Sequence, residues 1–251
     1  MRKLFGPRSP LCLLAVGALF AAPASLPAQG LDVSGRVSLV PAAKNARAAP
    51  VPVEAVVWLE PVDRAASAAA GLPRQPAGRF RLVQKDKKFT PHIIVVPAGA
   101  VVEFPNEDPF FHNVFSLFNG KRFDLGLYEA GTTRSVTFNT PGICYIFCNI
   151  HPEMSAVVVV TETPYFALSN GAGEVTLRGV PPGRYELNVW DEHCLPEALQ
   201  ALRREITVSA SAPSFGELRL PESAGLLKRH KNLYGRDYDP GSGSSPIYGQ
   251  P

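Results

Sequence analysis

Residues 142–156, GICYIFCNIHPEMSA, place a thiol, an imidazole and a thioether within a short stretch, at Cys148, His151 and Met154. The residues up to Cys148 are apolar and β-forming, which predicts a strand in which Cys144 and Cys148 share one face. A tight turn after Cys148 brings His151 and Met154 back toward its sulfur. We therefore predict that a strand ends here by delivering three potential metal ligands to one point.

The donor types at this point favour copper. Thiolate, imidazole and a weak axial thioether are three of the four ligands of a blue-copper site, which needs one further imidazole. His112 supplies it from FPNEDPFFHNVFS, residues 104–116, which lie shortly before the strand. Zinc prefers four strong ligands, and thioethers rarely serve it. Taken singly, a loop histidine or a core methionine has an ordinary structural interpretation, and it is the combination that predicts a metal centre.

Composition indicates an all-β protein of one large or two small domains. The chain has 251 residues with 21 Gly and 25 Pro, and these punctuate short runs rich in Val, Phe, Tyr and Thr. One helical turn is predicted, at residues 196–203. The formal net charge of +3 is small and no basic run is interleaved with aromatic residues, so we expect no nucleic-acid partner.

The N-terminus has the layout of a secretory signal peptide. Basic residues precede the apolar run 11–22, and small residues and prolines follow it up to residue 30. The run is too short for a permanent membrane span, and no second long apolar segment follows it. We therefore predict a signal peptide at 1–30, a periplasmic location, and a protein that is not an integral membrane protein.

Two further segments carry few residues that could be buried. Residues 63–78 lack periodicity and are interpreted as a linker. Residues 222–251 are polar and contain Gly, Ser and Pro, which predicts a disordered tail. The alternative for the segment LLKRHKNLYGRDY, residues 226–238, is docking through Tyr234 and Tyr238.

After the signal peptide three cysteines remain, an odd number that indicates a thiol with a task other than pairing. In a strand, Cys144 and Cys148 stand about 13 Å apart, at about 3.3 Å per residue, which is too far for a disulfide. The sequence leaves open whether Cys144 and Cys194 pair. We assign neither His92 nor His193 to the metal.

The runs KFTPHIIVVPAGAVVEFPNEDPFFHNVFS (88–116) and TPGICYIFCNIHPEMSAVVVV (140–160) resemble the cupredoxin family, whose fold is a Greek-key β-sandwich. The resemblance covers about residues 79–162, and the short ligand loop is similar to that of amicyanin-type members. It implies a cupredoxin domain with one type 1 copper per chain, held by the equatorial ligands His112, Cys148 and His151 and by axial Met154. It also implies that Asn113 acts as a second-shell residue between the two ligand loops.

A second resemblance involves GEVTLRGVPPGRYELNVW, residues 173–190, which is similar to the carboxypeptidase-regulatory-like, or transthyretin-like, β-sandwich. The strands that open this sandwich are missing beside it but resemble SGRV at 34–37 and VEAVVWLE at 53–60. We therefore predict a discontinuous sandwich, 31–62 and 163–221, that carries the copper domain as an insertion. The simpler alternative is two domains in series. The joint arrangement resembles exported proteins of the methylamine-utilisation-like type.

These resemblances imply a periplasmic electron carrier that is not an enzyme, with a redox protein such as a dehydrogenase or a cytochrome as its partner. We expect His151 to be the exposed ligand, and an apolar collar around it to dock the partner: Pro109, Phe110, Ile150 and Pro152. The alternatives are a periplasmic copper storage or delivery protein, and an envelope interaction module in which copper is secondary.

Overall fold

The computed structural model describes residues 30–40, 51–63, 79–117, 121–223 and 231–238. The predicted signal peptide, except Gly30, and the predicted linker, except Asp63, lie outside the described residues. So does most of the tail that was predicted to be disordered. No helix in the described part of the chain is both long and apolar enough to cross a membrane.

The all-β prediction is confirmed: the described residues form eighteen strands and one short helix. The first strands are β1 (Leu31–Val40), β2 (Val51–Pro52) and β3 (Val56–Pro61). The next are β4 (Phe80–Arg81), β5 (Val83–Lys85), β6 (Lys88–Thr90), β7 (Ile93–Pro97), β8 (Ala100–Pro105), β9 (His112–Ser116), β10 (Phe123–Tyr128), β11 (Thr133–Phe138), β12 (Gly142–Phe147) and β13 (Ser155–Thr161). The last are β14 (Phe166–Leu168), β15 (Glu174–Val180), β16 (Gly183–Trp190), α1 (Pro196–Ala201), β17 (Arg204–Val208) and β18 (Ser214–Pro221).

The strands of the middle region form one β-sandwich. A five-stranded sheet has the order β10-β9-β12-β13-β7, a three-stranded sheet has the order β11-β8-β4, and β5 and β6 form a hairpin. The apolar core of this sandwich includes Phe104, Val114, Cys144 and Ile146. Cys144 and Ile146 are buried while the residues between and beside them are half-buried, which is the alternation expected of β12.

A second pair of sheets combines the beginning and the end of the chain. In one sheet β1 lies between β15 and β18, with β2 also paired to β1, and the other has the order β14-β3-β16-β17. Strands β1 and β3 therefore hydrogen-bond with strands that follow them by more than a hundred residues. Among the described strands, β4–β13 pair only with one another.

β13 connects the two sandwiches because both of its faces are buried. Ala156 and Val158 belong to the core of the middle sandwich, whereas Val157 and Val159 pack into the core of the other sandwich. This double burial is the physical reason for the unbroken apolar run in its sequence. The rings of Tyr145 and Trp190 meet across the same boundary, with centroids 6.3 Å apart.

Candidate metal centre

The end of β12 and a tight loop position the ligands that the sequence analysis placed together. Cys148 is the first residue after β12, and its amide donates to the carbonyl of Met154 over 3.1 Å. The amide of Met154 donates in turn to the carbonyl of His151, also over 3.1 Å. The loop therefore closes on itself, and all three residues are buried.

β9 supplies the fourth predicted ligand, His112, at its first residue. The pairing of Phe147 with Phe115 places β9 next to β12, which brings the start of one strand to the end of the other. Cys148 Sγ lies 3.8 Å from His112 Nδ1 and 3.6 Å from His151 Nδ1. Among the described residues, these three form the one group of at least three His, Cys, Asp or Glu side chains with ligand atoms this close, all within 4.8 Å of one another.

The spacing of these ligand atoms fits a first-row metal ion. With metal–sulfur and metal–nitrogen bonds of about 2.3 and 2.0 Å, as in zinc sites, two ligand atoms about 110–120° apart around an ion are separated by about 3.5–3.7 Å. The two observed Sγ–Nδ1 distances, 3.6 and 3.8 Å, are close to this separation. Met154 is completely buried at the end of the same loop. The thioether makes the donor set softer than a zinc site, and this favours copper.

Asp108 holds His112 in position. The Nε2–H of His112 donates to Asp108 Oδ2 over 2.7 Å, and this bond leaves Nδ1 as the nitrogen that faces the thiol. The same carboxylate accepts the amides of Asp86 and Lys87, over 2.7 and 3.0 Å. The sequence analysis missed the bond between Asp108 and this histidine. The one available signal was its place four residues before His112.

Asn113 lies between the two ligand loops. Its Oδ1 accepts the amide of Asn149 over 3.3 Å, and its Nδ2 donates to Asp124 Oδ1 over 2.7 Å. The side chain therefore connects β9 to the residue that follows Cys148 and to β10. These bonds connect the two loops that carry the proposed ligands, and the role of Asn113 toward a metal stays a prediction.

Burial sets the protonation of the ligands. It lowers the pKa of His112, although Asp108 opposes the change, and it lowers the pKa of His151 to about 4, with His112 adding to the effect. Burial also raises the pKa of the Cys148 thiol, and the backbone amides around the sulfur offset only part of the increase. At neutral pH both imidazoles are therefore neutral and ready to bind, whereas the thiol must lose a proton to a metal.

The predicted docking collar is only partly exposed. Pro109 is exposed, whereas Phe110, Ile150 and Pro152 are half-buried. The Phe110 ring packs against the imidazoles of both His112 and His151, with centroids 5.3 and 5.8 Å apart. Phe110 therefore covers the two histidines, and only part of its ring is accessible to a docking partner.

His151 differs from the expectation of an exposed ligand, because only 4% of it is accessible to solvent. Its Nε2 is buried, and no hydrogen-bond partner for it exists among the described residues. Phe111, immediately before His112, is exposed, with an exposed fraction of 50%.

The described part of the tail, residues 231–238, contacts the loop 148–154, called the metal loop below, and it does so in part through Tyr238, one of the two tyrosines named in the docking alternative. Asn232 Oδ1 accepts the amides of Tyr234 and Arg236 and so closes a turn. From this turn the amide of Leu233 donates to Asn149 Oδ1 over 2.8 Å. The half-buried phenol of Tyr238 donates to the carbonyl of Cys148, also over 2.8 Å, and burial raises its pKa.

The other histidines and cysteines among the described residues lie elsewhere. His92 pairs with Glu192 over 2.9 Å, and His193 Nδ1 hydrogen-bonds Asp191 Oδ1 over 3.1 Å. Cys144 and Cys194 are buried and free, so the pairing that the sequence left open is not formed. Cys144 lies 3.3 Å from Ser116 Oγ in the core.

Comparison with known proteins shows that part of this chain is similar to amicyanin. The chain matches no protein-family model. It is 32% identical over 99 residues to amicyanin-alpha from Methylorubrum extorquens, a match that covers 38% of this chain and 83% of the relative.

Three solved structures are similar to about a third of the chain. An amicyanin from Paracoccus versutus is 25% identical, covering 35% of this chain and 86% of that one, with a TM-score of 0.31. A purple cupredoxin from Nitrosopumilus maritimus is 22% identical, covering 33% and 99%, with a TM-score of 0.30. A copper-containing nitrite reductase from Thermus scotoductus is 26% identical and has a TM-score of 0.33, but the match covers 35% of this chain and only 23% of that enzyme.

Proposed function

The chain belongs to the amicyanin family of cupredoxins, and from this we propose that it binds one copper ion and carries single electrons between redox proteins in the periplasm. The observation that carries the proposal is the convergence of His112 Nδ1, Cys148 Sγ and His151 Nδ1 within 4.8 Å. We propose Met154 as the axial ligand because it is buried at the end of the same loop. Copper in such a site supplies a one-electron couple.

The surroundings of the ligands suit electron transfer. Asp108 fixes the tautomer of His112, and Asn113 ties the two ligand loops together. A ligand set held in this way needs little rearrangement when the charge of the metal changes. With four protein ligands no position is left for a substrate, so we propose a carrier rather than an enzyme.

Copper storage or delivery is the alternative that uses the same residues. A protein that passes its ion to a partner needs ligands which the partner can reach. Here His112, Cys148 and His151 are all buried, and this places electron transfer ahead of copper exchange.

We also propose that residues 79–162 form the metal domain and that 31–62 with 163–221 form one discontinuous sandwich of the carboxypeptidase-regulatory-like type. The support is the pairing of β1 with β15 and β18 and of β3 with β16. A protease site engineered between residues 63 and 79 tests the arrangement. We expect the N-terminal fragment to stay bound after cleavage, and its release under native conditions would contradict the proposal.

The first test of the function is the visible and EPR spectrum of the full chain after addition of Cu(II). We expect an intense thiolate-to-copper band with narrow hyperfine splitting, bleached reversibly by a reductant. Cys148→Ala should abolish the band, whereas Cys144→Ala, which removes another buried cysteine within β12, should keep it. A colourless wild-type protein, or a band that survives Cys148→Ala, would refute the blue-copper assignment.

A further inference from the structure

The segment Lys231–Tyr238 reaches the metal loop from the far end of the chain. Two hydrogen bonds of 2.8 Å join them, from the Leu233 amide to Asn149 Oδ1 and from the Tyr238 phenol to the Cys148 carbonyl. We propose that this segment, called the clamp below, positions the loop that carries the metal ligands and closes it against solvent. Tyr238 is its main positioning residue.

The clamp acts where the β ladder stops. The pairing of β12 with β13 ends at Phe147 and Ser155, so the carbonyl of Cys148 lies just beyond the regular hydrogen bonds of the sheet. A backbone carbonyl in a closely packed region requires a donor, and Tyr238 supplies one. The donor is therefore attached to the very residue whose sulfur is a proposed ligand.

The next residue is held from two sides. The amide of Asn149 donates to Asn113 Oδ1 on β9, and its side-chain oxygen accepts the Leu233 amide from the clamp. The start of the loop is thus fixed between the sheet and the clamp. Without the clamp, the bond from β9 and the backbone bond between Cys148 and Met154 would remain as restraints.

The restraint on the loop helps to keep His151 buried. A buried nitrogen such as His151 Nε2, with no partner among the described residues, is costly, and an unrestrained loop would turn it toward water. The clamp holds the two residues that precede Ile150 and His151, and so opposes this opening.

This inference deepens the proposed function and rests on it for the redox consequence, but the positioning itself is tested without metal. The variant is Tyr238→Phe in the full chain, and the matched control is Tyr234→Phe, a tyrosine in the same segment that is 77% exposed. Metal-free protein is treated with iodoacetamide, and the labelling rate of Cys148 is compared with that of Cys144 by peptide mapping. Both thiols are buried and free, so Cys144 reports any general loosening.

We expect Tyr238→Phe to raise the ratio of Cys148 to Cys144 labelling about fivefold, the factor that corresponds to one typical net hydrogen bond. Asn149→Ala should raise it as well, because it removes the acceptor for Leu233. Equal ratios in Tyr238→Phe and Tyr234→Phe would overturn the clamp. So would a rise in the labelling of both cysteines together, since that reports global loosening.

In the copper-loaded protein, the reduction potential distinguishes a positioning role from simple exclusion of solvent. The phenol hydrogen-bonds the Cys148 carbonyl and so draws electron density away from the proposed thiolate ligand, which disfavours Cu(II). We therefore expect the reduction potential of Tyr238→Phe to fall below that of Tyr234→Phe, and identical potentials would overturn the positioning role. If the wild-type chain fails to bind copper, the proposed function fails, while the labelling experiment still decides whether the clamp exists.

Discussion

Asp108→Ala removes an acceptor that three donors share. His112 Nε2 and the amides of Asp86 and Lys87 lie 2.7, 2.7 and 3.0 Å from its carboxylate oxygens. Both His112 and Asp108 are buried, so their charge-assisted bond contributes about 1.5–3 kcal/mol. The two amides are nearer to solvent, where water recovers part of the loss, and together they add about 1 kcal/mol. We expect the free energy of unfolding of the metal-free protein to fall by about 3 kcal/mol.

The turn that these amides form contributes to the effect. Asp86 and Lys87 connect β5 to β6 with φ angles of 54° and 56°, in the left-handed region that residues other than glycine rarely adopt. Asp108 stabilises this conformation because it accepts both amides. Losing the carboxylate therefore allows the turn to relax beside the metal centre.

Metal binding provides the second measurement for Asp108→Ala. Without the carboxylate, the tautomer and the orientation of His112 are no longer fixed, and we expect copper affinity to fall by about 10- to 100-fold. Urea unfolding of the metal-free protein gives the stability, and competition with a chelator gives the affinity. Glu107→Ala is the matched control, because it removes a neighbouring carboxylate that is exposed. If Asp108→Ala behaves like Glu107→Ala in both assays, the role assigned to this carboxylate is wrong.

Three further predictions concern protons. Burial lowers the pKa of His151 to about 4, so the neutral ring is favoured in the folded state. The metal-free protein should therefore lose up to about 3 kcal/mol of stability as the pH falls from about 6.5 to 4. Urea titrations of wild type and His151→Gln at several pH values check this, and an equal dependence of stability on pH in both proteins contradicts it. Because burial raises the pKa of the Cys148 thiol, copper loading at pH 7 should release about one proton per ion, as measured with a pH indicator, and Cys148→Ala should release none. The hydrogen bond to Glu192 raises the pKa of His92, so this pair stabilises the fold below the ordinary histidine pKa, and the stabilisation is lost as the pH rises through the raised value. Urea titrations of Glu192→Gln should lack this part of the pH dependence of stability, and an unchanged pH dependence would contradict the prediction.

Much of the site is determined by local sequence. The spacing of Cys148, His151 and Met154 places all three in one short loop, and the loop closes through backbone bonds between these same residues. Membership of one short loop depends only on spacing along the chain, so the sequence by itself determined which residues share the loop. The alternation along β12 likewise determined that Cys144 packs into the core.

His112 is an intermediate case. Its residue type and its distance along the chain suggested a ligand, but its approach to Cys148 depends on the pairing of β9 with β12. Its bond to Asp108 joins residues only four positions apart. Even so, nothing in the pattern DPFFH distinguishes a carboxylate that caps a turn from one that also orients a histidine. The tertiary structure decided this because the direction of a side chain depends on what packs around it.

The exposure of His151 and the position of the clamp were decided only by tertiary structure. The contacts of Leu233 with Asn149 and of Tyr238 with Cys148 join residues 84 and 90 positions apart. A polar tail has no periodic pattern that reveals such a contact, since two hydrogen bonds to a distant loop require no apolar stripe. The sequence determines the secondary-structure elements and the ligands that lie close together along the chain. Burial and long-range contacts depend on how the folded elements pack against one another.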